Sequence, residues 1–187
     1  FAGLRQRDKD ALLLLAPRHP ERSSEVVALA RRRGLDTVTR STLQVDREPR
    51  AAVVVLDTIG ELATLMQIAT IVFLGGSLVP TGGHNLLEPA VWGKPVVFGP
   101  HMQNFAELAE LFLMHRAARQ IDSTDALQPV LAELLGDPVQ RAALGAAARA
   151  LVDANRGATD RTLGAVASLL PLAGGADIGA VRPFGTQ

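Results

Sequence analysis

The chain has 187 residues, 48% of them apolar, which is enough to bury the core of one domain of ordinary size. Nineteen basic and nineteen acidic side chains leave a formal net charge of zero, so no overall field draws nucleic acid or an anionic membrane surface. The absence of cysteine excludes disulfides, thiolate nucleophiles and thiolate metal ligands, and no apolar run approaches the ~20 residues that span a bilayer.

The start, Phe1-Ala2-Gly3-Leu4-Arg5, has neither an initiator Met nor a signal-peptide pattern, and we expect it to be a cut inside a longer protein. From there, short apolar runs rich in β-branched residues alternate with stretches of helical period, the pattern of βαβ units around a parallel sheet. The first strand is expected over Ala11 to Ala16 and the first helix over Pro20 to Arg33. Strands at Leu35 to Arg40 and Ala51 to Asp57 precede a helix over Ile59 to Ala69. A strand at Ile71 to Gly75 leads to a helix at Asn85 to Trp92, and a strand at Pro95 to Gly99 leads to one at Asn104 to His115. The sixth strand, Ala117 to Ile121, is followed by helices over Thr124 to Leu135 and from Pro138 onward, the latter opened by Asp137 as N-cap with proline at the first helical position. These elements predict an α/β fold with a Rossmann-like, doubly wound parallel sheet, which binds ligands outside the carboxyl ends of its strands. The tail from Gly174 to Gln187 mixes Gly, Pro and small residues without period and is expected to be poorly ordered, leaving residues 1–173 as the domain.

Four segments follow predicted strands on that ligand-binding side. In Pro17-Arg18-His19-Pro20 two prolines stiffen the turn and leave Arg18 free to donate to a phosphate or a base carbonyl, although a solvated arginine beside a helix start explains the same residues. In Asp57-Thr58-Ile59-Gly60-Glu61-Leu62, Thr58 and Glu61 have the spacing of a capping box, while Gly60 would let a ligand approach first-turn N–H groups. The most informative stretch runs from Gly75 to Pro89, where paired glycines at Gly75-Gly76 and Gly82-Gly83 bracket one loop and deliver it to a helix start, as in a phosphate cradle. It is not a Walker loop, a dinucleotide fingerprint or a nucleophile elbow around Ser77. Asn85 and Glu88 read either as a second cap or as ligand contacts, with Glu88 able to accept both hydroxyls of a ribose. The fourth segment, Gly99-Pro100-His101-Met102-Gln103-Asn104-Phe105, is a polar loop that could face a sugar or simply cap a helix at Asn104.

Two other features carry less. Arg31-Arg32-Arg33 closes a helix, where cations complement the dipole, and lacks the interleaved aromatics of a nucleic-acid surface. His19, His84, His101 and His115 show no metal-ligand spacing, so no metal is expected, though His84 and His101 are plausible ligand contacts.

In this order, Pro17-Arg18-His19-Pro20-Glu21-Arg22, Asp57 to Leu62, Gly75 to Pro89, Val97 to His101, Asn104-Phe105 and Asp153 to Ala158, the motifs resemble bacterial 3-deoxy-D-manno-octulosonic acid (Kdo) transferases over about residues 11 to 160. The resemblance implies two Rossmann-like domains facing a cleft, the B-type glycosyltransferase fold, of which this chain matches the second, donor-binding one. It places CMP contacts on Pro17 and Arg18, on Ile59, Gly60 and Glu61, and on Asn85, Leu86, Leu87 and Glu88, with Gly76, Ser77, Gly83, His84, His101 and Asn104 as possible additions. The implied donor is CMP-Kdo and the implied acceptor a lipid A precursor held by the amino-terminal domain. The family's general base and membrane anchor also belong to that domain, so this chain contributes no catalytic residue, needs no cofactor or metal, and is expected to be inactive alone. The full-length protein would act at the cytoplasmic face of the inner membrane, while this fragment would be soluble. In outline, the acceptor hydroxyl attacks the anomeric carbon while this domain stabilises the departing phosphate, helix N-termini contributing. Two rivals share the same motifs: a UDP-sugar transferase or epimerase of the same fold, and a non-catalytic nucleotide-binding module.

Overall fold

A computed structural model describes residues 1–44 and 51–156, together with Leu163 and Val166. The expected tail and the boundary at residue 173 lie outside the described residues, as do Gly157 and Ala158. One compact unit comprises Phe1–Ala154; in the second, Asn155–Gln187, Leu163 and Val166 are helical and exposed.

All six expected strands are present: β1 (Leu13–Leu15), β2 (Thr37–Thr39), β3 (Val53–Val55), β4 (Val72–Phe73), β5 (Val96–Phe98) and β6 (Ala118–Gln120). Every pairing is parallel, in the orders β1-β3-β2 and β4-β5-β6. Each triplet buries its centre: Val53, Val54 and Val55 are at most 1% exposed, as are Val96, Val97 and Phe98, which is why these two strands read as unbroken apolar runs. The flanking strands are more mixed, running from the buried Thr37 and Ala118 to the half-buried Thr39 and the exposed Gln120. Regular ladders are shorter than the apolar runs, but hydrogen bonds continue past their ends, from Leu13 N–H to Ala52 (3.0 Å), Leu56 N–H to Leu15 (2.9 Å) and Leu74 N–H to Val97 (2.9 Å).

Seven α-helices cover these strands among the described residues: α1 (Ala2–Arg7), α2 (Ser23–Arg32), α3 (Leu62–Leu65), α4 (Leu87–Ala90), α5 (Ala106–Met114), α6 (Thr124–Gly136) and α7 (Pro138–Asn155). Alternation along β5 sends Val96 and Phe98 into a cluster with Leu86, Ala90, Phe112, Ala148 and Leu151, and Val97 into another with Ile121, Leu134 and Leu144. Apolar side chains therefore pack on both faces, as a doubly wound arrangement requires. A smaller cluster joins Val53 and Val55 to Leu13, Leu15, Val26 and Val27. No helix among the described residues is long and apolar enough to cross a membrane.

The differences from the sequence reading are local. Helix α1 was not expected from the pattern; its buried Leu4 and its packing against α6 account for it. The expected first helix opens as a 3-10 turn, Pro20–Arg22, before α2. The Asp137 cap forms as expected, its Oδ1 accepting the N–H of Gln140 at 2.8 Å.

Helix α7 docks closely on the turn before β5. A Cβ added at Gly145 would come within 2.0 Å of the Gly93 carbonyl oxygen, and Arg149 Nη1 donates to the carbonyl of Val91. Alanine normally improves a helical glycine position by roughly 0.5–1 kcal/mol, but overlap with backbone cannot be relieved by rotating a side chain. Gly145→Ala should therefore lose about 1–3 kcal/mol in a urea melt, the cost of overpacking, and a gain in stability would show that the helix can retreat freely.

Candidate functional site

Parallel pairing aligns the carboxyl ends of each triplet, so the turns after β1, β2 and β3 share one edge, and those after β4, β5 and β6 another. A side-chain contact joins these edges. Arg18 Nη1 lies 3.4 Å from His84 Nδ1, linking the turn after β1 to the glycine loop after β4. A guanidinium only donates, so Nδ1 is the acceptor in this contact. Further round, Trp92 Nε1 donates to the carbonyl of Ala63 at 2.8 Å and ties the end of α4 to α3. Arg18 is itself exposed, with donors to spare for an anion, and Pro17 beside it is half-buried.

The turn after β3 departs from the expected capping box. Thr58 Oγ1 donates to Glu61 Oε2 (2.5 Å) and accepts no first-turn N–H, and α3 begins only at Leu62. The reason is twofold: Gly60 has φ +91°, which breaks helical geometry, and the other carboxylate oxygen of Glu61 pairs with Arg40 Nη2 at 2.8 Å. The helix continues only as a 3-10 turn, Met66–Ile68, and so is irregular where a helix through Ala69 was expected. Asp57 reaches back to the turn after β2, accepting the N–H of Ser41 at 2.9 Å and its hydroxyl at 2.5 Å. The Ser41 hydroxyl, more than any other group, holds the Asp57 carboxyl below its ordinary range. Arg40 and Ser41 were absent from the sequence-based site. The signal was there, in that Arg40 ends a predicted strand on the ligand side, but an arginine there has no motif of its own.

The glycine loop folds onto the turn after β5. Ser77 is fully buried; its hydroxyl donates to the Leu74 carbonyl at 2.6 Å and accepts the Gly99 N–H at 2.7 Å, so it pins the loop and has no face toward a ligand. A side chain at Gly82 or Gly83 would strike Asn104 or Met102, with Cβ distances of 2.2 and 2.3 Å, and both residues have positive φ. The Asn104 N–H donates to the Gly82 carbonyl at 3.2 Å from within a 3-10 turn, Gln103–Phe105, so Asn104 does not cap α5 as the sequence suggested. His101 donates its N–H to Ser77 at 2.9 Å, and its half-buried ring stands 3.4 Å from Gln103 Nε2. Gly76 closes the loop by accepting from Gly83 N–H at 3.3 Å.

At the end of this loop Asn85 Oδ1 accepts the Leu87 N–H at 3.0 Å, which shortens the helix to Leu87–Ala90. Pro89 sits in the first turn, where no N–H is required, and Glu88 is helical despite preceding it. Glu88 does not complete a second cap: it is exposed and has no hydrogen-bond or ion-pair partner among the described residues. The Leu86 side chain is wholly buried, leaving only its backbone for a ligand, while Leu87 is 36% and Ile59 88% exposed.

Two open clefts of about 340 and 470 Å³ lie elsewhere, lined by residues including Arg7 and Glu133 in one and Arg5 and Arg33 in the other. The candidate site is a rim of loops instead. Among the described residues no group of three or more His, Asp or Glu side chains could hold a metal ion.

No protein-family model matches the chain. It is 39% identical over 153 residues to the 3-deoxy-D-manno-octulosonic acid transferase of Haemophilus influenzae, and 40% over 156 residues to that of Bordetella pertussis. These alignments cover 81% and 83% of this chain and 36% of each relative, so the chain spans about a third of their length. A crystal structure of the C-terminal CMP-Kdo binding domain of WaaA from Acinetobacter baumannii superposes with a TM-score of 0.75, at 31% identity, over 81% of this chain and 78% of that one. The chain belongs to the Kdo transferase family. Its fold is that of the family's C-terminal domain, a Rossmann-like half of a glycosyltransferase.

In this Kdo transferase domain two polar contacts make separable predictions. Ser77→Ala would leave a buried carbonyl and a buried N–H unpaired, at a cost of about 1–3 kcal/mol in a urea melt. Because the Asp57 carboxyl is depressed in the folded state, its contribution is present above the unfolded value near ~3.9 and is lost as pH falls through the lower folded one. The urea midpoint should accordingly drop more between about pH 5 and about pH 3 in the wild type than in Asp57→Ala, and parallel curves would show that the Ser41 contact adds no pH-dependent stability.

Proposed function

We propose that this chain binds the donor CMP-Kdo, as the donor-binding domain of a transferase that adds Kdo to a lipid A precursor. The observation that carries the reading is the Arg18–His84 contact, which draws the turn after β1 to the glycine loop, with the exposed Glu88 carboxylate four residues on, in the first turn of α4. Pro17 and Arg18, the Ile59 to Glu61 turn, and Asn85 to Glu88 would hold the nucleotide. Gly76, Gly83, His84, His101 and Asn104 would shape the surrounding loops. Likeness to a domain named for CMP-Kdo binding supports the same donor.

In this reading the acceptor hydroxyl attacks the anomeric carbon, the bond from that carbon to the phosphate oxygen breaks, and CMP leaves with the electron pair. Arg18 donates to the phosphate as its charge grows. Glu88 accepts from the ribose hydroxyls and thereby orients the nucleotide. The acceptor, the general base and the attachment to the cytoplasmic face of the inner membrane are assigned to the rest of the full-length protein.

Calorimetric titration should rank CMP above UDP and NAD, and equal or tighter NAD binding would overturn the proposal. Glu88→Gln should weaken CMP binding by ~1.5–3 kcal/mol, the scale of a charge-assisted hydrogen bond. Because Glu88 is exposed and caps nothing, Glu88→Ala should shift folding stability by no more than about 0.5 kcal/mol. Unchanged CMP affinity in Glu88→Gln would remove the ribose role.

A further inference from the structure

The turn Ile59 to Glu61 has no apolar anchor. Ile59 is 88% and Leu62 40% exposed, and a Cβ at Gly60 would meet nothing within 4 Å. Its conformation is held by polar contacts, with one Glu61 oxygen on Thr58 and the other on Arg40. Arg40 comes from the neighbouring turn after β2, which Asp57 secures through both the N–H and the hydroxyl of Ser41. Arg40 and Glu61 are 33% and 37% exposed, and a pair this open is worth only about 0–1 kcal/mol to folding, so stability is a weak reason for the arrangement. A stronger reason lies in charge. A bare carboxylate on a turn that meets a nucleotide phosphate would repel it.

We propose that Arg40 is a positioning residue for the donor: it fixes the Gly60–Glu61 turn through the Glu61 carboxylate and cancels that negative charge beside the phosphate, with Asp57 and Ser41 holding Arg40 in place. This rests on the CMP-binding reading above. Arg40 acts through Glu61 and need not touch the nucleotide, which separates the role from that of Arg18.

The test compares wild type, Arg40→Ala, Glu61→Gln and the double variant by CMP titration and urea melt. Arg40→Ala should weaken CMP binding about three- to tenfold, the effect of one partly screened charge at short range. Adding Glu61→Gln should recover the part of that loss that comes from the uncompensated charge, so the double variant should bind CMP more tightly than Arg40→Ala alone; a residue that merely supports the fold would give no such rescue. Should Arg40→Ala fail to fold, Arg40→Gln removes the charge while keeping a donor to Glu61, and the same rescue is expected. Wild-type CMP affinity in a folded Arg40 variant, or a double variant as weak as the single one, overturns the inference. If the wild type itself ignores CMP, the donor-binding reading falls and takes this inference with it; normal wild-type binding with an indifferent Arg40 variant removes the inference alone.

Discussion

The Ser77 hydroxyl donates to Leu74 and accepts from Gly99, and this buried pair of hydrogen bonds sets the spacing of the loops that follow β4 and β5. Buried polar atoms are costly unless paired, so the arrangement tolerates little change. Gly82 and Gly83 can then lie against Asn104 and Met102, where a side chain would not fit. From that packed base the loop runs outward to His84, Asn85 and Glu88. These candidate site residues therefore owe their placement to a side chain buried beneath the loop.

The first sheet positions its turns by other means. Its apolar cluster is small, and the turns after β2 and β3 are fastened by ion pairs and hydroxyls, Arg40 to Glu61 and Asp57 to Ser41. Such contacts are only weakly stabilising in partly exposed surroundings, but they are directional and fix where charge resides. A site of this kind is a patterned rim, and its polar groups matter more than its volume. None of the residues of these turns lines the two open clefts described above.

Kinship with the Kdo transferases gives this pattern a context. The relatives are nearly three times as long as the aligned segment. The domain presents charge and hydrogen-bond donors at its strand ends, where doubly wound folds commonly bind ligands.

The sequence by itself determined the α/β class, the six strands and the edge on which to look, because burial of a parallel sheet imposes apolar runs and because glycine and proline punctuate the turns. It also determined the Asp137 cap, a purely local arrangement. Only the tertiary structure decided what Thr58, Glu61, Ser77, Glu88 and Asn104 do. The spacing of Thr58, Glu61, Glu88 and Asn104 satisfies capping rules, yet Glu61 is drawn away by Arg40, 21 residues distant in sequence, and Asn104 is engaged through its N–H by Gly82. Helix α1 likewise exists through packing against α6 rather than through its own pattern. A capping motif records which bonds a short segment could make; competition from charged and buried partners distant in sequence selects among them, and that competition is settled only when the strands bring the turns together.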